Sequence, residues 1–205
     1  RSGKRAAAQG FRLADFKRFF SAAVDRMEEQ GLFQEWFGYT CIDAGEILGR
    51  AGPDLELLLF RKLRRQDLWP LREKLGAYSE DDLFDVVEFL FDHASEGVDG
   101  THHTYNDCGW HYTTFNASAG RESFRSQVNE LLIDYASGFE LSPAGEILTL
   151  ANDDFAPLLV AHVPHEDKRN VTERVAAAKL KYRRRSLSER KDAVRDLADV
   201  LEYLR

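Results

Sequence analysis

One short segment carries the side chains of this sequence that are best suited to chemistry. It spans residues 101–111 and reads Thr-His-His-Thr-Tyr-Asn-Asp-Cys-Gly-Trp-His. His103, Cys108 and His111 offer nitrogen and sulfur ligands at spacings that could meet one zinc ion, with Asp107 as a fourth ligand. The spacing is not that of a regular zinc finger, so it identifies a candidate site and no known motif.

Two other interpretations of the same segment stay open. In the first, a polar turn precedes a strand, with Asn106, Asp107 and Gly109 supplying the turn geometry. In the second, Cys108 is a nucleophile activated by His111 and oriented by Asp107. We favour the turn, and we therefore predict no metal, no cofactor and no catalytic residue, with the zinc site kept as the alternative.

Other catalytic and nucleotide-binding motifs are missing from the sequence. It contains no GxxxxGK followed by Ser or Thr, no GxGxxG and no GxSxG, which excludes phosphate-loop nucleotide binding, dinucleotide binding and serine hydrolysis by these motifs. Cys41 and Cys108 are far apart in sequence and form no CxxC pair, so neither a disulfide framework nor a zinc ribbon is predicted.

Charge is distributed in blocks of opposite sign. The net charge of −7 argues against a protein that coats nucleic acid with its whole surface. Acidic residues fill the stretch 79–100, whereas basic residues are concentrated between 179 and 195. The basic stretch predicts contact with RNA phosphates that weakens with salt; the alternative is a solvated face paired with the acidic block. The predicted RNA-contacting residues are Lys179, Lys181, Arg183, Arg184 and Arg185.

Hydrophobic periodicity predicts the elements that position these residues. Apolar residues at helical spacing predict helices through most of the first hundred residues, including one that opens at Ser79 with a capping box. Between residues 97 and 151 the pattern predicts a strand near Trp110, a helix, and a hairpin around residues 142–145. The fold class is therefore α+β and mainly helical.

Two further helices end the chain as a predicted antiparallel pair. Val171, Val175, Ala178 and Tyr182 would line one face of the first helix. The second helix keeps a heptad-like spacing of apolar residues, which predicts a seam for a homodimer or for further bundle helices. The seam residues are Val194, Leu197, Leu201 and Leu204.

One likeness to known proteins lies in residues 82–93, 105–112, 135–141 and 145–147, and in the order of elements from about residue 30 to the end. In these segments the sequence resembles bacterial proteins of the AbiJ-like abortive-infection group. The resemblance implies an N-terminal α+β domain followed by the opening helices of a HEPN bundle over residues 171–205. HEPN bundles of that family are commonly metal-independent ribonucleases that use an Arg-x4-6-His motif across a dimer. That motif is absent here, because no histidine follows His165 and no histidine has an arginine five to seven positions before it.

These observations lead to one organisation and one leading function. We expect a disordered tail over 1–10, an α+β domain over 11–150, a linker over 151–168, and a HEPN-like bundle that begins at 169 and continues past residue 205. The leading hypothesis is the sensing or regulatory region of an anti-phage protein that cleaves or binds RNA when intact. The alternative is a zinc-binding or structural interaction module. No apolar run is long enough to span a membrane, and we expect a cytoplasmic protein.

Overall fold

The computed structural model describes residues 10–105, 108–136, 138–150 and 156–205 of the chain. It is α+β and 56% helical, and its strands form small antiparallel sheets of two strands each. The predicted fold class is therefore confirmed. The predicted disordered tail lies outside the described residues apart from Gly10, as does the start of the predicted linker, residues 151–155.

The chain divides into two compact units. The first contains Arg1–Ala136 and Leu141–Glu146, and the second contains Ser137–Glu140 and Ile147–Arg205. The division runs through the hairpin around residues 142–145, whereas the sequence predicts this hairpin wholly within the domain over 11–150. The domain limits expected from the sequence stay predictions.

Helices build most of the first unit, and their ends follow from local sequence. Ser79 begins α5 with a capping box, since its hydroxyl accepts from the Asp82 N–H at 3.1 Å and the Asp82 carboxylate accepts from the Ser79 N–H at 2.9 Å. Asn116 caps α6 by accepting from the Ala119 N–H. The helices are α1 Leu13–Glu29, α2 Gln34–Phe37, α3 Leu55–Leu63, α4 Leu71–Lys74, α5 Glu80–Asp92 and α6 Ala117–Leu132.

The core of the first unit lies between α1, α5 and α6. Phe16 of α1, Phe84 of α5 and Phe124 of α6 are fully buried. The Phe16 ring also stacks on Tyr135, with 4.7 Å between ring centroids. β3 packs against α6, so one of the helices of this core also contacts a strand.

Two hairpins in the first unit carry the residues of chemical interest. Strands β1 (Tyr39–Cys41) and β2 (Gly45–Ile47) pair antiparallel, with Cys41 opposite Gly45. Strands β3 (Glu96–His103) and β4 (Gly109–Asn116) also pair antiparallel, with His103 opposite Gly109. Gly97 is required in β3 because the Tyr112 ring lies where a side chain at that position would have to be.

The sequence predicted β4 but missed β1, β2 and β3. β3 reads Glu-Gly-Val-Asp-Gly-Thr-His-His, in which Val98 is the single aliphatic residue, so no alternation of polar and apolar residues marks it as a strand. β1 and β2 have three residues each, which is too short for a period to be recognised. The predicted second hairpin is present, as β5 (Phe139–Leu141) and β6 (Ile147–Thr149).

The second unit contains the predicted antiparallel helix pair. Its helices are α7 Ala156–Val160, α8 Glu173–Arg183 and α9 Leu187–Tyr203, with a π-helical turn, Lys168–Thr172, leading into α8. Ion pairs from Arg174 to Asp199 and from Lys181 to Asp196 run in opposite order along α8 and α9, as antiparallel packing requires.

The side chains buried on α8 and α9 are small. Ala178 of α8 is buried, as are Ala193 and Val200 of α9. Tyr182, expected on the inner face of α8, is instead 44% exposed. Among the described helices, none is both long enough and apolar enough to cross a membrane.

Candidate metal centre

Four side chains from the two hairpins of the first unit converge on one point. Cys41 lies at the end of β1, His103 at the end of β3, Cys108 in the connection to β4, and His111 within β4. Each offers one ligand atom, and all four of these atoms lie within 4.8 Å of one another. The convergence joins residues from hairpins that are about sixty positions apart in the sequence.

The register of β3 and β4 explains why the two histidines meet. His103 lies opposite Gly109, and His111 is two residues further along β4, so both imidazoles project from the same face of the hairpin. Their ring centroids are 5.4 Å apart. A one-residue shift of register would place one histidine on the opposite face and would destroy the cluster.

The distances between ligand atoms are close to those around a tetrahedral zinc ion. The Cys108 Sγ lies 3.2 Å from the His111 Nε2, and the Cys41 Sγ lies 3.8 Å from the His103 Nδ1. Ligand atoms around tetrahedral zinc are separated by about 3.3–3.8 Å, given Zn–S of about 2.3 Å and Zn–N of about 2.0–2.1 Å. Binding an ion therefore requires the widest separation in the cluster to contract by about 1 Å.

Asp43 orients one of the histidine ligands. Its Oδ2 lies 3.1 Å from the His103 Nε2. A carboxylate this close favours the tautomer with the proton on Nε2, which leaves the lone pair of Nδ1 for the cluster. Carboxylate–imidazole–metal arrangements of this kind are common around zinc, so Asp43 is the partner that a histidine ligand requires.

The turn between β1 and β2 prepares the Cys41 thiol for metal binding. The backbone N–H groups of Ala44 and Asp43 donate to the Cys41 Sγ and hold the pKa of this thiol below its ordinary value. The tight turn depends on Gly45, whose φ of 74° is in the left-handed region. Because the thiolate is the form that binds metal, hydrogen bonds to the sulfur favour ligation.

Tyr39 supports the other histidine. Its ring stacks on the His111 imidazole with 4.4 Å between centroids and 24° between planes. Burial raises the pKa of Tyr39, so the phenol stays neutral beside the two thiols. The β1–β2 hairpin thus supplies one neighbour for each histidine, Asp43 for His103 and Tyr39 for His111.

The structure brings together the three ligands that the sequence singled out and adds one that it missed. His103, Cys108 and His111 meet as the zinc alternative required, whereas Asp107, its proposed fourth ligand, lies outside the described residues. Cys41 takes the fourth position. The signal for it was its residue type, but no local pattern placed it near residue 103.

The residues predicted to contact RNA are largely engaged within the second unit. Lys181 pairs with Asp196, Arg183 with Glu140 and Arg184 with Glu189, each at 2.7 Å. The Lys179 ammonium donates to the Ala161 carbonyl. Arg185 lies in the connection between α8 and α9.

The predicted dimer seam lies on the outside of α9. Val194 is 58% exposed, Leu201 is 65% exposed and Leu204 is 48% exposed, while Leu197 is half-buried. The seam is therefore separate from the Ala193 and Val200 face that packs on α8.

Compared with known proteins, the chain matches no family model, no curated protein and no solved structure. The resemblance to the AbiJ-like group and to HEPN bundles therefore stays a prediction, and the geometry of the chain itself carries the functional argument.

Proposed function

We propose that the first unit is a zinc-binding structural module. The observation that carries this proposal is the convergence of two thiols and two imidazoles, with all four ligand atoms within 4.8 Å of one another. Two sulfur and two nitrogen donors are a preferred ligand set for zinc, and four protein ligands complete its tetrahedral coordination. A zinc ion held in this way has no open position for a substrate, so its role is structural.

The role of the ion is to join two hairpins that lack strong cores of their own. β1 and β2 have three residues each, and an isolated two-stranded hairpin is at best marginally stable in water. Cys41 belongs to this hairpin, whereas the other three ligands belong to the β3–β4 hairpin and its connection. Zinc binding would therefore contribute directly to the folding free energy of the first unit.

A zinc site with two thiolates also indicates the cellular compartment in which the protein works. Thiols persist in reducing surroundings and become disulfides in oxidising ones. We therefore place the protein in the cytoplasm as part of the proposal.

Metal analysis of the purified chain tests the proposed function. Protein refolded with zinc and then dialysed should retain one zinc ion per chain, and cobalt in its place should give the visible absorption of a tetrahedral thiolate site. Cys41→Ser and His111→Ala should each lose most of the bound metal. His102→Ala is the matched control, because His102 neighbours His103 on β3 and lies outside the cluster. A metal content far below one per chain would disprove the zinc module.

A second candidate function, RNA binding by the second unit, is supported by the concentration of basic residues at the end of α8. In this proposal the chain is the regulatory region of a HEPN-containing anti-phage protein that cleaves or binds RNA when intact. The arginines are paired with carboxylates, so RNA phosphates would have to displace Glu140 and Glu189. The expected binding is therefore weak and salt-sensitive.

A shift assay at low salt tests this second function. Replacing Arg183, Arg184 and Arg185 together by Gln should abolish RNA binding and flatten its salt dependence. Arg61→Gln with Lys62→Gln, on exposed positions of α3, controls for a general loss of positive charge. No binding by the parent chain at low salt would refute the RNA proposal.

A further inference from the structure

Both cysteines of the chain lie in the metal centre. The sequence contains two cysteines, Cys41 and Cys108, and each supplies its sulfur to the four-residue cluster. Their Sγ atoms lie within 4.8 Å of each other. A disulfide bond has a length of about 2.05 Å, so the sulfurs would have to approach by less than about 3 Å to form one.

The two sulfurs differ in exposure. Cys41 is buried at 5% exposure, whereas Cys108 is only half-buried. An oxidant from solvent therefore reaches Cys108 first. Cys41 then lies within reach as the second thiol, held in the turn that the Ala44 and Asp43 backbone shapes.

We infer that Cys41 and Cys108 are a site of reversible oxidation that releases zinc. This inference rests on the proposed zinc module, of which it describes the regulation. Hydrogen peroxide oxidises the Cys108 thiolate to a sulfenic acid, with hydroxide as the leaving group. The Cys41 thiolate then attacks the Cys108 sulfur, the S–S bond forms, and a second hydroxide leaves.

The electrons and atoms balance in this sequence. The two thiolates lose two electrons to one peroxide molecule, and two protons from solvent convert the two hydroxides into water. Zinc loses both sulfur ligands and leaves as Zn²⁺, because two imidazoles alone bind it far more weakly than the full ligand set. A thiol reductant returns both electrons, and zinc can bind again.

The oxidised centre differs from a centre that has merely lost its metal. The disulfide links the β1–β2 hairpin covalently to the connection before β4, so the two hairpins stay joined while the imidazoles are released. The close contact between the Asp43 carboxylate and the His103 Nε2 does not involve sulfur and can persist. Peroxide would thus change the surface around His103 and His111 without separating the hairpins.

Titration of the zinc-loaded chain with hydrogen peroxide tests this inference. Released zinc is measured with a chromogenic chelator, and intact mass spectrometry measures the loss of two hydrogen atoms. We expect one zinc ion released for each intramolecular disulfide formed, no disulfide between chains, and full reversal by dithiothreitol with added zinc. Peptide mapping should place the disulfide between Cys41 and Cys108.

Variants separate this inference from the zinc module itself. His111→Ala weakens zinc binding but keeps both thiols, so it should form the disulfide faster than the zinc-loaded parent. Cys108→Ser should form no intramolecular disulfide, and His102→Ala should behave as the parent. A parent that binds zinc but forms no Cys41–Cys108 disulfide overturns this inference and leaves the zinc module standing. A parent that binds no zinc overturns the module, and with it zinc release as the result of oxidation.

Discussion

Asp43 decides which nitrogen of His103 is available to a metal ion. Its carboxylate holds the Nε2 at 3.1 Å, and the Nδ1 is the nitrogen that faces the Cys41 sulfur. Although the carboxylate is exposed, its charge favours the tautomer with the proton on Nε2. In the proposed zinc module, Asp43 is thus a positioning residue that acts on the metal through His103.

The residue-scale prediction concerns this carboxylate. Asp43→Asn should raise the zinc dissociation constant about 10- to 100-fold, the range typical for loss of a partner behind a metal ligand. Competition with a chromogenic chelator measures the constant. Glu46→Gln removes the same charge from an exposed position on β2 and should leave zinc affinity unchanged. Equal affinities for the Asp43 variant and the parent would show that His103 needs no such partner.

Helices whose hydrophobic pattern extends over several turns were predictable from the sequence, and the short strands were not. Phe16, Phe20 and Met27 recur at helical spacing along α1, and the capping box at Ser79 marks the start of α5. The β1–β2 hairpin offered three-residue strands without a period. As a result Cys41 could not be placed, and the sequence indicated three residues of the four-residue cluster.

The tertiary pairing of hairpins is a second reason why the site was incomplete. The register of β3 with β4 is local and brings His103 to His111, whereas the approach of Cys41 depends on packing between elements about sixty residues apart. Neither motif spacing nor periodicity encodes such a contact. Residue type was the one clue, since a free cysteine near a cysteine–histidine cluster can serve as a ligand.

The element-scale prediction concerns the N-terminus of α5. Ser79→Ala removes the hydroxyl that accepts from the Asp82 N–H, and should lower the free energy of unfolding by about 1 kcal/mol. Urea unfolding of the zinc-loaded chain measures the loss. Ser126→Ala, at an exposed position inside α6, is the control and should not lower the free energy of unfolding.

The stability that the Ser79 capping box contributes should decrease at low pH. Burial acts to raise the pKa of Asp82, but hydrogen bonds from Ser79 and the charge of Arg65 outweigh it and hold this pKa below its ordinary value. An acid whose pKa is lower in the folded protein than in the unfolded chain stabilises the fold at pH values above its unfolded pKa. This contribution is lost as the pH falls through its folded pKa. The stability difference between the parent and Ser79→Ala should therefore shrink below about pH 4. A difference that stayed constant to lower pH would show that the Asp82 carboxylate takes no part in the cap.

At the scale of the whole molecule, the two units carry different proposals. The zinc module belongs to the first unit, whose ligands all lie between residues 41 and 111. RNA binding and self-association belong to the second unit, in α8 and α9. Each proposal can therefore fail without the others, and a chelator should affect the first unit alone.

The whole-molecule prediction is self-association through α9. The seam residues Val194, Leu201 and Leu204 are exposed, and neighbouring Leu187 is 67% exposed, so Leu187, Val194 and Leu201 form one row at seven-residue spacing. Full burial of each side chain is worth about 1.5–3 kcal/mol. Association itself costs about 4–15 kcal/mol, so we expect a weak dimer whose population rises with protein concentration.

Sedimentation velocity over a wide range of protein concentrations measures this association. Leu201→Asp should shift the chain to the monomer, because the carboxylate would have to be buried without a partner. The substitution lies on the outer face of α9, away from Ala193 and Val200, so the helix pair should keep its circular dichroism and unfolding temperature. Ile133→Asp is the matched control, since Ile133 is 61% exposed and lies in the first unit. A parent chain that is monomeric at every concentration would exclude a second copy as the partner of the seam.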